Sequence, residues 1–293
     1  MRKLIIGCGY VGRRVAQLWR TQSHSVVALT RREANASALN ALGVETVLGD
    51  VTQPQTLGKL PQADTVLFAV GYDRTARPSM HDVYVEGLRN VLERIAGNTG
   101  QFVYLSSTSV YGQSHGEVVD EASPCLPTRE NGQVCLEAEE LLPKFFGNAA
   151  NPQTRRSANI LRLAGIYGPG RLLSRVQSLK AGTPLKGSPR AWLNLIHVDD
   201  AAAAVLACEQ RGQPGRNYVV CDDRPLHRKE YYERLARAVS APNPRFEPAD
   251  ETTELPLNKR CNNHRLRAEL KVELQFPDVE TGLADAIARS EGL

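Results

Sequence analysis

The sequence lacks the long apolar runs and the paired cysteines that mark several classes of protein. No stretch approaches the roughly 18 apolar residues of a membrane span, the nearest being residues 201–208. Glycines at positions 7, 9 and 12 interrupt the apolar start before it reaches the length of a secretory signal. The cysteines form no Cys-x-x-Cys pair, which indicates reduced thiols rather than a disulfide scaffold. We therefore expect a cytoplasmic protein that does not enter a membrane.

The sequence also lacks a large excess of either positive or negative charge. Lysine and arginine total 36 against 32 for aspartate and glutamate, so the net charge is only +4, and the two signs are interspersed. This excludes the concentrated basic surface that is typical of nucleic-acid binding. Hydrophobic residues at 42% and charged residues at 23% are close to the averages for folded domains. We expect a globular protein whose partner is a small molecule rather than a nucleic acid or a membrane.

Short apolar segments alternate with helical patterns along the chain. The patterns predict strands at residues 3–6, 25–30, 44–49, 65–70, 102–106, 159–166, 193–198 and 218–221. A helix after Gly132 is expected to end at Pro143. Apolar strands separated by helices are typical of a parallel sheet that is covered on both faces. The sequence therefore predicts an α/β fold with a doubly wound parallel sheet.

The pattern is interrupted at Gly168-Pro169-Gly170 and changes again near residue 212, where proline and arginine become more frequent. We predict a nucleotide-binding core formed by residues 1–166 and 193–212. Residues 167–192 and 213–293 would then form a smaller, interrupted C-terminal lobe that binds the substrate.

Three glycines, Gly7-x-Gly9-x-x-Gly12, follow the first predicted strand and open the first helix. Glycine permits the tight turn and the close approach of a diphosphate to the backbone. The start of the helix, at Tyr10 and Val11, supplies N–H donors and partial positive charge. The pattern predicts dinucleotide binding, with a purely structural turn as the alternative.

The end of the second predicted strand, Thr30-Arg31-Arg32, bears on which dinucleotide is bound. Proteins that bind NAD usually place Asp or Glu there to hold the ribose 2′-hydroxyl. Two guanidinium groups instead suit a 2′-phosphate, because each can bind it in bidentate fashion. We expect NADP(H) to be preferred over NAD(H); a solvated basic turn is the alternative.

Two further strand ends supply candidate cofactor contacts. Asp50 and Val51 follow the third strand and could flank the adenine. Ala69, Val70 and Gly71 follow the fourth strand and would pass beneath the diphosphate. Either segment could equally be an ordinary exit from a strand.

Residues 104–112, Tyr-Leu-Ser-Ser-Thr-Ser-Val-Tyr-Gly, resemble the active-site strand of the extended short-chain dehydrogenases/reductases, the NAD(P)-dependent epimerase/dehydratase group. Similar segments follow in the family's order at residues 120–127, 161–170 and 194–200, and the resemblance covers at least residues 3–240. It implies a Rossmann fold and an oxidoreductase or epimerase activity. It also implies cofactor contact by Ser106, a catalytic role for Ser107, and a homodimer through helices near 81–96 and 132–146.

Two features depart from the family's pattern. Extended members usually carry Gly-x-x-Gly-x-x-Gly, whereas position 6 is isoleucine here, in a variant that can still hold a diphosphate. The family's catalytic Tyr-x-x-x-Lys falls on residues 131–135, where Asn131 replaces the tyrosine and Cys135 replaces the lysine. Asn has no proton to exchange near neutral pH, and Cys has no positive charge. The chain therefore resembles an atypical branch that lacks this motif.

Other residues could act in place of the missing pair. Ser107 could hydrogen-bond a substrate carbonyl, and Tyr111 is the nearest phenol in the sequence, although a packing role is the favoured interpretation for Tyr111. His197 and Asp199-Asp200 could indicate a metal site, but their place at the start of a helix favours an aspartate cap. We predict no metal site.

Two hypotheses about function remain open. The first is an NADP-dependent oxidoreductase or epimerase-like enzyme that acts on a small carbonyl or sugar-nucleotide-like substrate with a non-standard acid/base. The second is a non-catalytic NADP-binding protein that senses redox state or regulates a partner. The retained Ser107 favours the enzyme, whereas Asn131 and Cys135 favour the second hypothesis; on balance we favour the enzyme.

Overall fold

A parallel sheet with helices on both faces forms the centre of the molecule. The computed structural model describes residues 1–73, 75, 77–147, 156–247 and 257–290. In chain order, the strands of the described residues are β1 (Arg2–Ile6), β2 (Ser25–Thr30), β3 (Glu45–Leu48), β4 (Thr65–Phe68), β5 (Gln101–Ser107), β6 (Glu117–Val119), β7 (Ser157–Leu163), β8 (Gly165–Tyr167), β9 (Trp192–Leu193), β10 (Leu195–His197), β11 (Asn217–Val220), β12 (Leu226–His227) and β13 (Lys259–Cys261).

The helices connect these strands. In chain order, those of the described residues are α1 (Tyr10–Thr21), α2 (Glu33–Ala41), α3 (Gly87–Ile95), α4 (Glu130–Glu139), α5 (Leu142–Phe146), α6 (Leu173–Lys180), α7 (Val198–Arg211), α8 (Arg228–Ala238), α9 (His264–Leu270) and α10 (Val279–Ala288). A π-helical turn, Asp82–Glu86, leads directly into α3. None of these helices combines the length and the apolar character needed to cross a bilayer.

The central sheet has seven strands in the order β3-β2-β1-β4-β5-β7-β11, all parallel to their neighbours. Successive residues of β1 point to opposite faces, so Ile5 joins one buried cluster with α1 and α7. Leu4 and Ile6 join the other cluster, with α3 and α4. This arrangement confirms the predicted doubly wound α/β fold, and the reversal of strand order lies between β1 and β4.

Two predicted strands are divided in the structure. The strand predicted at 159–166 ends at Leu163, and β8 follows it as a separate strand that pairs with β10. The strand predicted at 193–198 is divided between β9 and β10 by Asn194, whose amide bonds the backbone of Lys259 at 2.9 Å and of Cys261 at 2.6 Å. Asn194 therefore attaches β13 to the chain at the point where the strand is broken.

The prediction that Pro143 ends the helix after Gly132 is wrong. Helix α4 already ends at Glu139, and Pro143 lies in the first turn of α5. A first-turn N–H has no partner within its helix, so proline is tolerated there at no loss of a hydrogen bond.

The strand predicted at 218–221 is present as β11, but it belongs to the central sheet. It lies within the segment 213–293, which the sequence analysis assigns to the smaller lobe, and it pairs in parallel with β7. The chain reaches this position through α7, since parallel neighbouring strands need a crossover connection. Beyond this strand, the division into core and lobe stays a prediction, as does a dimer through the helices around α3 and α4.

A buried ion pair holds the amino ends of the strands to the helices. Lys3 is fully buried, and its ammonium group contacts the carboxylate of Glu209 on α7 and donates to Thr65 Oγ1 at 3.0 Å. The indole of Trp19 on α1 donates to the other oxygen of Glu209 at 2.6 Å. These contacts connect β1, β4, α1 and α7 at the amino ends of the strands. The glycine-rich loop lies at the opposite, carboxyl ends.

Replacement of Lys3 should therefore destabilise the fold. We expect Lys3→Met to lower the free energy of unfolding by about 3–5 kcal/mol, because it leaves the Glu209 carboxylate buried without its cation. Lys59→Met, at an exposed position, should change it by less than about 0.5 kcal/mol. Urea unfolding at neutral pH measures both values, and equal midpoints for Lys3→Met and the unmodified protein would contradict the expectation.

Candidate active site

A cavity of about 760 Å³ opens at the carboxyl ends of the central strands. Residues that follow β1, β2, β3, β4, β5 and β7 line it, so it spans the point where the strand order reverses. Ligands of doubly wound sheets bind in this crevice. The lining residues that the sequence analysis selects are Gly7, Gly9, Tyr10, Val11, Thr30, Arg31, Arg32, Asp50, Val51, Ala69, Val70, Gly71, Ser106 and Ser107.

The glycine-rich loop brings the backbone of β1 against that of β4. Gly7 has φ +86°, and a Cβ there would lie 2.7 Å from Val70 Cα. A Cβ on Gly12 would lie 2.9 Å from the carbonyl oxygen of Gly7, so Gly12 supports the loop from behind. At Gly9 nothing lies within 4 Å of an added Cβ, and the space above the loop is open to a ligand. The loop therefore offers a diphosphate a close approach to the N-terminus of α1.

Two arginines border the cavity at the end of β2. Arg31 Nη1 lies 3.7 Å from Asp50 Oδ2, and Arg32 Nη2 lies 3.4 Å from Asp73 Oδ2. Hydrogen bonds from Thr75, with a smaller contribution from Arg32, lower the pKa of Asp73. The side chains of Arg31 and Arg32 remain 40% and 67% exposed, so both guanidinium groups can still reach an anion. These long ion pairs orient the arginines without saturating them.

Ser107 ends β5 at the cavity. Its Oγ accepts a hydrogen bond from the N–H of Ser109 at 3.1 Å, which leaves the hydroxyl hydrogen available to a ligand. Ser106 precedes it and donates to Glu139 Oε1 at 2.5 Å. The two neighbouring hydroxyls therefore have different partners. That of Ser106 donates to the buried Glu139, whereas that of Ser107 can donate to a ligand in the cavity.

A buried charge network lies behind Ser106. Glu139 and Arg162 are each 5% exposed and form a bidentate pair, with Arg162 Nη2 2.7 Å from Glu139 Oε2. Arg162 also donates to Tyr111 Oη at 2.8 Å. Tyr111 is fully buried, and burial raises its pKa. Tyr111 thus lies in the core, as the packing interpretation predicts, and not at the cavity.

The two replacements of the family motif also lie off the cavity wall. Asn131 is exposed in the first turn of α4, and Cys135 is buried one turn later. Burial raises the pKa of the Cys135 thiol. A Cβ on Gly132 would collide with the carbonyl oxygen of Ser109, so the absence of a side chain lets α4 pack against the end of β5. Neither replacement brings an ionised group to the ligand.

Two phenols at the site, Tyr72 and Tyr84, are not among the residues predicted from the sequence; Tyr84 matched the apolar positions of a helix. Tyr84 lies in the π-helical turn and lines the cavity, and its Oη accepts the N–H of Tyr72 at 3.0 Å. Arg171 was also missed. It lines the cavity with its guanidinium 4.5 Å from the centre of the Tyr10 ring. Topology alone brings Tyr84 and Arg171 to the cavity, since they lie 13 residues after Gly71 and three after Gly168.

The predicted aspartate cap at the start of α7 is wrong. His197 is the N-cap residue, and its Nδ1 accepts the N–H of Asp199 at 3.3 Å. Candidate metal ligands on His197, Asp199 and Asp285 lie within 4.8 Å of one another. However, Asp199 pairs with Arg14 at 2.6 Å and with Arg289 at 2.7 Å. These guanidinium groups already balance the carboxylate, which favours an ion-pair cluster over a metal site.

Comparisons with known proteins agree with this geometry. The model of the NAD-dependent epimerase/dehydratase family matches residues 4–221. Protein YeeZ of Escherichia coli K12 is 26% identical over 285 residues, which cover 95% of this chain and 97% of YeeZ. The 2-alkyl-3-oxoalkanoate reductase of Stenotrophomonas maltophilia is 26% identical over 249 residues, covering 80% of this chain and 74% of that protein.

Solved structures give the same result. A Methylobacillus flagellatus protein assigned to the NAD-dependent epimerases/dehydratases superposes with a TM-score of 0.75 at 32% identity, over 98% of this chain and 97% of that one. The family match spans the glycine-rich loop, β5 and α4, which carry the cavity and the two motif positions. The chain therefore belongs to the NAD-dependent epimerase/dehydratase family of extended short-chain dehydrogenases/reductases.

Proposed function

We propose that the chain is an NADP-dependent oxidoreductase that acts on a small carbonyl substrate. The observation that carries this proposal is a single cavity that joins the glycine-rich loop, Arg31 and Arg32 to the free hydroxyl of Ser107. One end of the cavity then suits a dinucleotide, and the other presents a hydrogen-bond donor to a carbonyl. The reductase named among the relatives, whose name describes a ketone substrate, supports this class of reaction.

The residues of the cavity fit a nicotinamide dinucleotide. Gly7 permits the turn that a Cβ would block, and the open space above Gly9 admits a diphosphate to the start of α1. Asp50 and Val51 would flank the adenine, and Ser106 also lines the cavity. When bound, the nicotinamide supplies the hydride that reduces a carbonyl carbon.

Preference for the 2′-phosphate follows from charge. Arg31 and Arg32 border the cavity where NAD binders place a carboxylate. Asp50 and Asp73 stand behind the arginines, but the separations of 3.7 and 3.4 Å leave donor groups for a phosphate. A doubly charged phosphate would form shorter, charge-assisted bonds with both guanidinium groups.

Ser107 would orient the substrate. Because its Oγ already accepts a bond from Ser109, its hydrogen points to a different partner, and the carbonyl oxygen of a substrate is such a partner. That bond strengthens as negative charge develops on the oxygen, which stabilises the transition state more than the ground state.

A non-catalytic NADP-binding protein is the second candidate. Asn131 and Cys135 replace the family's acid and its activating cation, and both lie off the cavity wall. This candidate predicts tight cofactor binding without turnover, so the two functions are experimentally distinct.

Cofactor preference tests the first part of the proposal. We expect NADPH to bind more tightly than NADH, and the double variant Arg31→Ala with Arg32→Ala to weaken NADPH binding by about 10- to 100-fold, since bonds to a charged group contribute about 1.5–3 kcal/mol. NADH binding should change little. Nicotinamide fluorescence measures both, with the exposed Arg237→Ala as the control. Equal affinities for NADPH and NADH in the unmodified protein would refute the 2′-phosphate site.

Turnover tests the second part. We expect NADPH oxidation with at least one member of a panel of aldehydes, ketones and nucleotide sugars, measured at 340 nm. Ser107→Ala should lower kcat by about 10²- to 10³-fold, as loss of one oxyanion donor does elsewhere. Ser178→Ala, on α6, should match the unmodified protein. Tight NADPH binding with no turnover across the panel would support the non-catalytic candidate instead.

A further inference from the structure

We propose that Tyr84 is the catalytic proton donor of this chain, taking the place of the family tyrosine that Asn131 replaces. The inference rests on the proposed function, because it requires a reduced nicotinamide and a carbonyl in the cavity. It goes beyond that function by naming the acid.

The hydroxyl of Tyr84 has an unused hydrogen at the cavity. Its oxygen accepts the N–H of Tyr72 at 3.0 Å, and no acceptor for its own hydrogen occurs among the hydrogen bonds of the described residues. The ring is half-buried and contacts both core clusters, so its position is fixed from behind. A fixed phenol with a free O–H at the cavity can donate its proton to a bound substrate, as a general acid does.

The backbone around Tyr84 is unusual in a way that bears on this role. Asp82–Glu86 forms a π-helical turn before α3, and such turns occur frequently at functional sites. Helix α4, which carries the family's motif positions, packs against this turn. Burial raises the pKa of Tyr84, with a smaller contribution from Cys135, the residue at the lysine position of the motif.

Several other acidic hydrogens at the cavity are less suitable, while the Tyr72 phenol, which also lines the cavity, is compared with Tyr84 by substitution below. Tyr10 Oη already donates to the carbonyl of Pro169 at 2.9 Å. Burial raises the pKa of the Cys8 thiol to about 12, and Cys8 lies in the glycine-rich loop at the diphosphate end. Asp50 and Asp73 stand beside the arginines. Tyr84, by contrast, lines the cavity together with Ser107.

Reduction of a carbonyl with Tyr84 as the acid balances in bonds and protons. Hydride addition to the carbonyl carbon moves the C=O π pair onto oxygen, and this pair forms a new O–H bond with the Tyr84 hydrogen while the phenol O–H bond breaks. The phenolate then regains a proton from solvent water. Burial raises the pKa of Tyr84, so the group is a protonated phenol at neutral pH.

Kinetics provide the first test. With a carbonyl that is turned over in the panel, Tyr84→Phe should lower kcat by about 10²- to 10⁴-fold while the Kd for NADPH stays within twofold. Tyr104→Phe is the matched control, since it removes a buried phenol of β5 that does not line the cavity. Unchanged kcat in Tyr84→Phe would overturn the proposal, and so would an equal loss in Tyr72→Phe.

A second test needs no turnover. Protein labelled with 3-fluorotyrosine carries nine labelled rings, and the Tyr84 fluorine resonance is the one missing from Tyr84→Phe. If this phenol faces the nicotinamide, the positive charge of NADP⁺ should lower its pKa by about one pH unit or more relative to the NADPH complex. The same pKa in both complexes would overturn the proposal even if the cofactor binds.

The two tests separate the possible failures. Absence of any fluorescence change on adding NADPH would show that the proposed function itself is wrong. Binding with turnover that survives Tyr84→Phe would leave the proposed function intact and remove only Tyr84 as the donor. Binding without turnover, with the expected pKa difference, would support the placement of Tyr84 at the nicotinamide.

Discussion

The close approach of Gly7 to the backbone of Val70 is the constraint on which the site depends. It exists because a parallel sheet places the ends of β1 and β4 side by side, where the strand order reverses. Any side chain at position 7 would push the two strand ends apart. With none, the first turn of α1 opens onto a cavity whose other walls are the ends of neighbouring strands.

Buried ion pairs then hold the strands in place at both their amino and their carboxyl ends. Lys3 and Glu209 join the amino ends to α1 and α7, whereas Glu139 and Arg162 hold β5, β7 and α4 together beneath the cavity. A buried pair of this kind penalises any arrangement that separates its members. The consequence for the site is positional: Ser106 is held by Glu139, so Ser107, the next residue, must present its side chain on the other side of the strand.

The loss of the family's motif did not remove proton donors from the cavity. Asn131 and Cys135 stand on α4, but the helix still packs against the π-helical turn that carries Tyr84. The phenol, the serine hydroxyl and the arginines all line one cavity, on elements that the sheet positions.

The sequence by itself determined the sheet, the glycine-rich loop and the residues at the strand ends. Apolar runs and glycine spacing are local signals, and the carboxyl ends of parallel strands meet at one edge whatever the rest of the chain does. Only the tertiary structure decided that Tyr111 is buried against Arg162 and that Tyr84 lines the cavity. It also decided that β11 returns to the sheet. These outcomes depend on contacts between residues far apart in the chain. A tyrosine at an apolar position of a helix gives the same sequence pattern whether its hydroxyl is buried in the core or faces a ligand.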